Sequence, residues 1–215
     1  MKIIPAKTPD FVKTLFPNFI WNINTNTKEL YLTFDDGPTL EITDWVLHTL
    51  KRYDAKATFF CIGNNIEKHP EIFQNILDNN HSIGNHTYNH LKGWKHKSKY
   101  YIKDALQTEA VIEMFQPNNS NKLFRPPYGK FKNKQSKRLL ELGYKIILWD
   151  VLSYDWDMSV SEETCFNNVI SATKKGSIIV FHDSLKASRN LKYVLPKVLE
   201  YYTEKGFEFK AIKET

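Results

Sequence analysis

From residue 30 onward, short apolar runs alternate with stretches of helical period, and no other feature of this 215-residue chain narrows its fold as far. Residues 30–34 (LYLTF) form a strand-like run. Asp35-Asp36-Gly37-Pro38 stops it, since Asp, Gly and Pro favour turns. Ile42, Trp45, Val46, Thr49 and Leu50 then fall on one face at the helical period, with Thr39 placed to cap the start. Further strand signals lie at 57–62, 81–84, 123–124, 144–149, 177–181 and 207–209. Helical signals lie between them: from Pro70 to Asn79, over 98–115, over 133–142 with Gly143 as the stop, from a capping box at 159–162, and over 191–202. Strands separated by helices join as crossovers into a parallel sheet. The count predicts an α/β fold, a single-domain distorted (β/α) barrel of about seven parallel strands. The expected organisation is an N-terminal extension, 1–28, packed on a barrel domain, 29–215. The Asn-rich stretch at 117–121 reads as a surface loop.

Composition excludes several classes. No apolar run approaches the roughly 20 residues that cross a bilayer, so no transmembrane segment is expected. The first seven residues lack the apolar core of a signal peptide, which points to a cytoplasmic chain. Cys61 and Cys165 stand in no metal-binding spacing and read as core thiols. The net charge of +6 is compatible with nucleic acid, an anionic substrate or a solvated surface. Its basic residues are spread along the chain and no nucleic-acid module is visible, so no nucleic-acid partner is expected. Nothing in the pattern fixes the oligomeric state.

The chemistry-bearing residues sit at strand ends. Asp35 and Asp36 follow the first strand, His86 and His90 the third, Arg125 and Tyr128 the fourth, Asp155 the fifth and His182 the sixth. In a parallel barrel these positions converge on one face, where active sites lie. Two adjacent carboxylates at the end of a buried strand are costly unless hydrogen bonds or a cation compensate them. His86 and His90, four apart, would face the same way on a helical turn and could share a metal. With a carboxylate they give three protein ligands and leave positions open, the pattern of a catalytic site. The prolines of Arg125-Pro126-Pro127-Tyr128-Gly129 make a stiff wall that aims Arg125 into the site. His81 and His96 read as structural or surface histidines, and Trp45 and Trp149 as core.

Five segments in order resemble the motifs of the polysaccharide deacetylases, the NodB-like domain of carbohydrate esterase family four. They are Thr33-Phe34-Asp35-Asp36-Gly37, His86-Thr87-Tyr88-Asn89-His90, Arg125-Pro126-Pro127-Tyr128, Ser153-Tyr154-Asp155-Trp156 and Val180-Phe181-His182. The resemblance covers residues 29–212 and implies a metal-dependent hydrolase that removes acetyl groups from an N-acetylated carbohydrate. The implied substrates are oligo- or polysaccharides containing N-acetylglucosamine, such as chitin-like chains or peptidoglycan. The alternatives are O-acetyl esters such as acetyl-xylan, another amide, and a non-catalytic carbohydrate-binding protein. It implies Asp36, His86 and His90 as ligands of one divalent ion, zinc first, with cobalt, manganese or nickel also compatible. It implies Asp35 as general base oriented by Arg125, His182 as general acid tuned by Asp155, and the Tyr128 N–H as oxyanion donor. Tyr128, Trp156 and Trp94 would contact sugar. The family's fourth motif opens with an Asp where this chain has Leu152, and its fifth has Leu where Val180 stands.

Overall fold

The computed structural model describes residues 5–117 and 120–213. The first four residues read for a leader, the centre of the Asn-rich loop and the last two residues lie outside the described residues. The elements are α1 (Asp10–Leu15), β1 (Glu29–Asp35), α2 (Ile42–Lys51), β2 (Ala57–Cys61), α3 (Gly63–Lys68), α4 (Pro70–Asp78), β3 (Ser82–Asn85), α5 (Ser98–Phe115), β4 (Leu123–Phe124), α6 (Asn133–Glu141), β5 (Lys145–Ile146), β6 (Val151–Leu152), α7 (Glu162–Ala172), β7 (Ile178–His182), α8 (Ser188–Glu204) and β8 (Glu208–Phe209). The sheet runs β5-β4-β3-β2-β1-β7-β6, with β8 added beside the start of β1, and every pairing is parallel. The seven expected strands are present, the fifth shortened to β5, and β6 follows just beyond the expected run. Its chain segment bonds β4 at one end, through Ile147 N–H to Phe124 O (2.9 Å), and β7 at the other, through Asp150 N–H to Ile178 O (3.0 Å). One extended segment thus steps between the two edges of the curled sheet, and the ladder breaks where its neighbour changes.

β1 is central and buried on both faces, which is why its apolar run is nearly continuous. Successive side chains still alternate. Leu30, Leu32 and Phe34 pack outward into the helix-covered core with Phe59, Phe181 and Leu195. On the inner face, Tyr31 joins Phe60, Ile147 and Ile178. Thr33 and Asp35 continue that inner row toward the strand's C-terminal end. The register pairs Asp35 with His182 at the end of β7, so both reach the same mouth.

The segment before β1 covers the seam. Ile20 exchanges hydrogen bonds with Ile146 O (2.9 Å) and Leu148 N–H (2.8 Å), while Ala6 O accepts from Leu152 N–H (2.8 Å). Fully buried Asp150 pins this strap: its carboxylate accepts from Lys7 Nζ (3.0 Å), Lys13 Nζ (2.5 Å) and Ser177 Oγ (2.5 Å). Burial alone would raise its pKa, but these hydrogen bonds outweigh that and hold it below the usual value.

Three local expectations change. Thr39 does not cap α2; its own N–H donates to Thr43 Oγ1 (2.7 Å), and the helix begins after Glu41 at φ 64°. The cap of α7 is Ser161, accepting from Thr164 N–H (3.2 Å), two residues beyond the expected Ser159. The short helices α1 and α3 carry too few turns to leave a periodic signal.

We expect Asp150→Ala to destabilise the fold by about 1–3 kcal/mol, because it removes three charge-assisted or hydroxyl bonds at a buried site. Denaturant titration of both proteins measures this. The folded-state pKa is depressed, so the contribution is present at neutral pH and lost as pH falls below about 4. The two titration curves should converge in acid.

Candidate active site

The C-terminal ends of the strands open into one groove of about 640 Å³, lined among others by Asp35, Asp36, His86, His90, Trp156 and His182. At its base, Asp35 is buried and accepts a 2.6 Å hydrogen bond from Arg125 Nη1. Arg125 is itself fully buried. Nη1 also donates to Thr33 Oγ1 (2.8 Å), Nε to Ile147 O (3.2 Å) and Nη2 to Leu148 O (3.1 Å), and the guanidinium lies 4.1 Å from the Phe60 ring centroid. A buried cation so fully bonded is a fixed positioning device.

Asp36, with φ 80°, turns its carboxylate toward two imidazoles. Its Oδ1 lies 3.2 Å from His90 Nε2 and 3.7 Å from His86 Nε2. The nearest ligand atoms of these three residues all lie within 4.8 Å of one another. The two histidines are not on a helical turn, contrary to the reading from their spacing. Residues 86–90 form a loop in which Thr87 (φ 65°) and His90 (φ 52°) are left-handed. What holds it is Asp104 of α5, whose carboxylate accepts from Tyr88 N–H (2.8 Å), Asn89 N–H (3.1 Å) and Asn89 Nδ2 (2.6 Å). His86 Nδ1 sits 2.8 Å from Arg125 O, which can only accept, so Nδ1 carries the proton and Nε2 is left with a bare lone pair. Burial lowers the His86 pKa to about 4 and keeps the ring neutral. Burial works to raise the Asp36 pKa, but the hydrogen bond to His90 and the charge of His182 bring it well below the ordinary range. A neutral imidazole with a free nitrogen, a second imidazole and an ionised carboxylate are the donors a divalent cation requires.

His182 is set up in the opposite sense. Asp155 Oδ2 accepts from its backbone N–H (2.7 Å) and Asp155 Oδ1 from its Nδ1 (2.9 Å). Burial would lower the imidazole's pKa, but the Asp155 charge and hydrogen bond outweigh it and raise it to about 9. Asn190 of α8 holds Asp155 from behind through Nδ2 to the backbone O (3.1 Å). Trp156 packs on His182 at 4.8 Å between ring centroids. Across the groove Trp94 meets Tyr128 edge-on at 5.6 Å.

The sequence from residue 22 to 147 matches the family model described as Polysaccharide deacetylase. The chain belongs to that family. The family match, taken with the deacetylases to which the chain is similar, makes it a hydrolase of the carbohydrate N-deacetylase class. Two Bacillus cereus proteins called peptidoglycan-N-acetylglucosamine deacetylase are 37% and 32% identical to it. The first match covers 86% of this chain and 66% of that protein, the second 90% and 91%. Among solved structures, the Bc1960 peptidoglycan N-acetylglucosamine deacetylase, in complex with an N-oxidanyl-benzamide compound, superposes with a TM-score of 0.87 at 34% identity over 95% of both chains. The family-model match ends before Asp155 and His182.

All ten residues singled out from the sequence of this polysaccharide deacetylase lie in or directly behind the groove. His81 is structural, as expected: buried, with Nδ1 accepting from Ala57 N–H (3.1 Å). Trp149 is not a core residue alone; it lines the groove, and its ring lies where a Cβ on Gly129 (φ +64°) would fall, at 2.3 Å. Asp183 was not anticipated. It is fully buried, accepts from Gly37 N–H (3.0 Å) and Thr43 Oγ1 (2.6 Å), and donates its own N–H to Asp35 O (3.1 Å). It ties the loop after β7 to the loop carrying Asp35 and Asp36. Its only sequence signal was adjacency to His182.

Gly37 leaves room for that tie, since a Cβ there would stand 2.0 Å from Asp183 Oδ2. Gly37→Ala must therefore move one loop. We expect a loss of stability of about 1–3 kcal/mol, as for other overpacked sites. Divalent-ion affinity should fall by at least about tenfold, since support of a ligand is disturbed. Thermal unfolding and metal titration read the two effects; unchanged affinity would show that Gly37 does not govern the placement of Asp36.

Proposed function

We propose that this chain hydrolyses the N-acetyl group of N-acetylglucosamine units in an oligo- or polysaccharide, with peptidoglycan as the first substrate to test. The observation that carries this reading is the opposition, across one aromatic-lined groove, of two histidine sites tuned in contrary directions. One is His86, kept neutral by burial beside His90 and the Asp36 carboxylate, and the other is His182, an imidazole held protonated by Asp155. The names of the similar proteins support the substrate class.

Asp36, His86 and His90 are the residues that would hold a divalent ion, zinc first. The chemistry such an ion supplies when bound is polarisation of the acetyl carbonyl and acidification of water. Asp35 lines the groove and takes a proton from the attacking water, whose oxygen adds to the carbonyl carbon. Arg125 keeps one oxygen of that carboxylate engaged and its plane fixed. The Tyr128 N–H, aimed by the left-handed backbone at φ 60°, donates to the oxyanion that develops. His182 then gives its proton to the sugar nitrogen as the C–N bond breaks, leaving acetate and a free amine. Leu152 and Val180, both buried at the groove wall, offer an apolar surface to the acetyl methyl. Trp94, Tyr128 and Trp156 present faces for sugar rings.

Asp35→Asn should lower kcat for acetate release from N-acetylglucosamine oligomers by about 10²–10⁴-fold and leave metal content unchanged. Turnover near that of the unaltered enzyme would remove Asp35 from the base role. His182→Ala should slow the amide far more than an aryl acetate, whose leaving group needs no proton. Equal losses on both substrates would contradict the acid role. For the pH profile, the protonated imidazole is the active form and Asp155 raises its pKa. Asp155→Asn should therefore move the alkaline limb to lower pH; a limb that stays in place would uncouple the pair.

A further inference from the structure

Three lysines, Lys92, Lys130 and Lys186, line the same groove and play no part in the chemistry just described. Lys92 and Lys130 belong to the wall that carries Trp94 and Tyr128; Lys186 follows β7 on the side of His182. None of the three forms an ion pair with a carboxylate among the described residues, in contrast to Lys7, Lys13, Lys122 and Lys210. The acids that line the groove are already engaged, Asp35 by Arg125 and Asp36 by His90. Asp157 feels the charge of Lys186 but does not line the groove.

Two of the ammonium groups are also placed with respect to the aromatic faces. Lys92 Nζ lies 5.2 Å from the Tyr128 ring centroid and Lys130 Nζ 5.8 Å from that of Trp94. A sugar ring resting on either aromatic would therefore bring its substituents beside a cation. Three ammonium groups that line one groove without a carboxylate ion pair among the described residues give it a positive field, and an anion entering the groove is drawn by that field. A neutral glycan does not.

Resting on the deacetylase reading, we infer that Lys92, Lys130 and Lys186 select a glycan bearing carboxylates next to the N-acetyl group being removed. The carboxylate can stand on an ether substituent of the neighbouring sugar or on a peptide attached through it. Either would meet the same cationic rim.

The test uses four tetrasaccharides with the same acetylated sugar to be hydrolysed: a neutral N-acetylglucosamine chain, a chain whose alternate sugars carry a free lactyl carboxylate, the same chain with that carboxyl amidated, and the chain with a short acidic peptide attached. For the unaltered enzyme, kcat/KM for the carboxylated chain should exceed that for its amidated form by about tenfold at low ionic strength, chiefly through KM. The advantage should shrink to about twofold or less at high salt. In the triple variant Lys92→Gln, Lys130→Gln, Lys186→Gln, the ratio should fall to about one at both salt concentrations. An advantage seen with the peptide-bearing chain alone would assign the recognised carboxylate to the peptide. A ratio of one in the unaltered enzyme together with no advantage for the peptide-bearing chain, or advantages that persist unchanged in the triple variant, would overturn the inference. Calorimetric titration of the same four glycans into Asp35→Asn gives the corresponding ratio of Kd values without turnover. If no glycan loses acetate, the deacetylase reading fails, and these binding ratios still decide the role of the lysines.

Discussion

The buried pair of Arg125 and Asp35 is the interaction on which the rest of the site depends. Arg125 alone touches β1 through Thr33 and Asp35, and the seam segment through Ile147 and Leu148. Its own carbonyl fixes the tautomer of His86. Removing a charge from water is costly, and here each side of the guanidinium finds an acceptor or an aromatic face. One residue therefore joins the curl of the sheet, the orientation of the carboxylate at the groove floor and the ligand lone pair of the first histidine. A shift in Arg125 would be felt at all three, so this region tolerates little adjustment.

Around that fixed point the protein uses burial in two opposite ways. His86 is desolvated and meets a carbonyl, so it stays neutral and presents a lone pair. His182 is also largely enclosed but meets a buried carboxylate, so it keeps its proton well above neutral pH. The same side chain thus presents a bare ring nitrogen at one wall and a proton at the other, according to what its Nδ1 faces. Asp183 and Asp104 keep the loops that carry these groups in register, from behind and without entering the groove.

Much of this is legible in the sequence alone. Alternating strand and helix signals give the parallel barrel, and the polar residues that end each strand give the mouth and its contents. What stayed hidden has physical reasons. The fifth strand reads as one apolar run ending at Trp149 because hydropathy does not report which neighbour a segment pairs with; the change from β4 to β7 falls between Ile147 and Asp150, at the end of that run. The spacing of His86 and His90 suggested a helical turn, but Asp104, fourteen residues beyond His90 and on another element, holds an irregular loop instead. Trp149 looked like core because an aromatic in a strand usually is. Its placement against Gly129 depends on a backbone turn that composition does not encode. The Lys7 and Lys13 clamp on Asp150 joins residues more than a hundred positions apart, beyond the reach of local pattern.

The central claim is that Asp36, His86 and His90 form one cation site on which acetate release depends. Its most direct test is reconstitution: strip the protein with a chelator, add back zinc, cobalt, manganese or nickel in measured steps, and follow both bound metal and acetate released from an N-acetylglucosamine oligomer. Negligible release from the stripped protein, restoration that saturates at one ion per chain, and weakened binding in His86→Ala are the expected results. Release that persists at full rate without metal, or full binding in the His86→Ala protein, would contradict it.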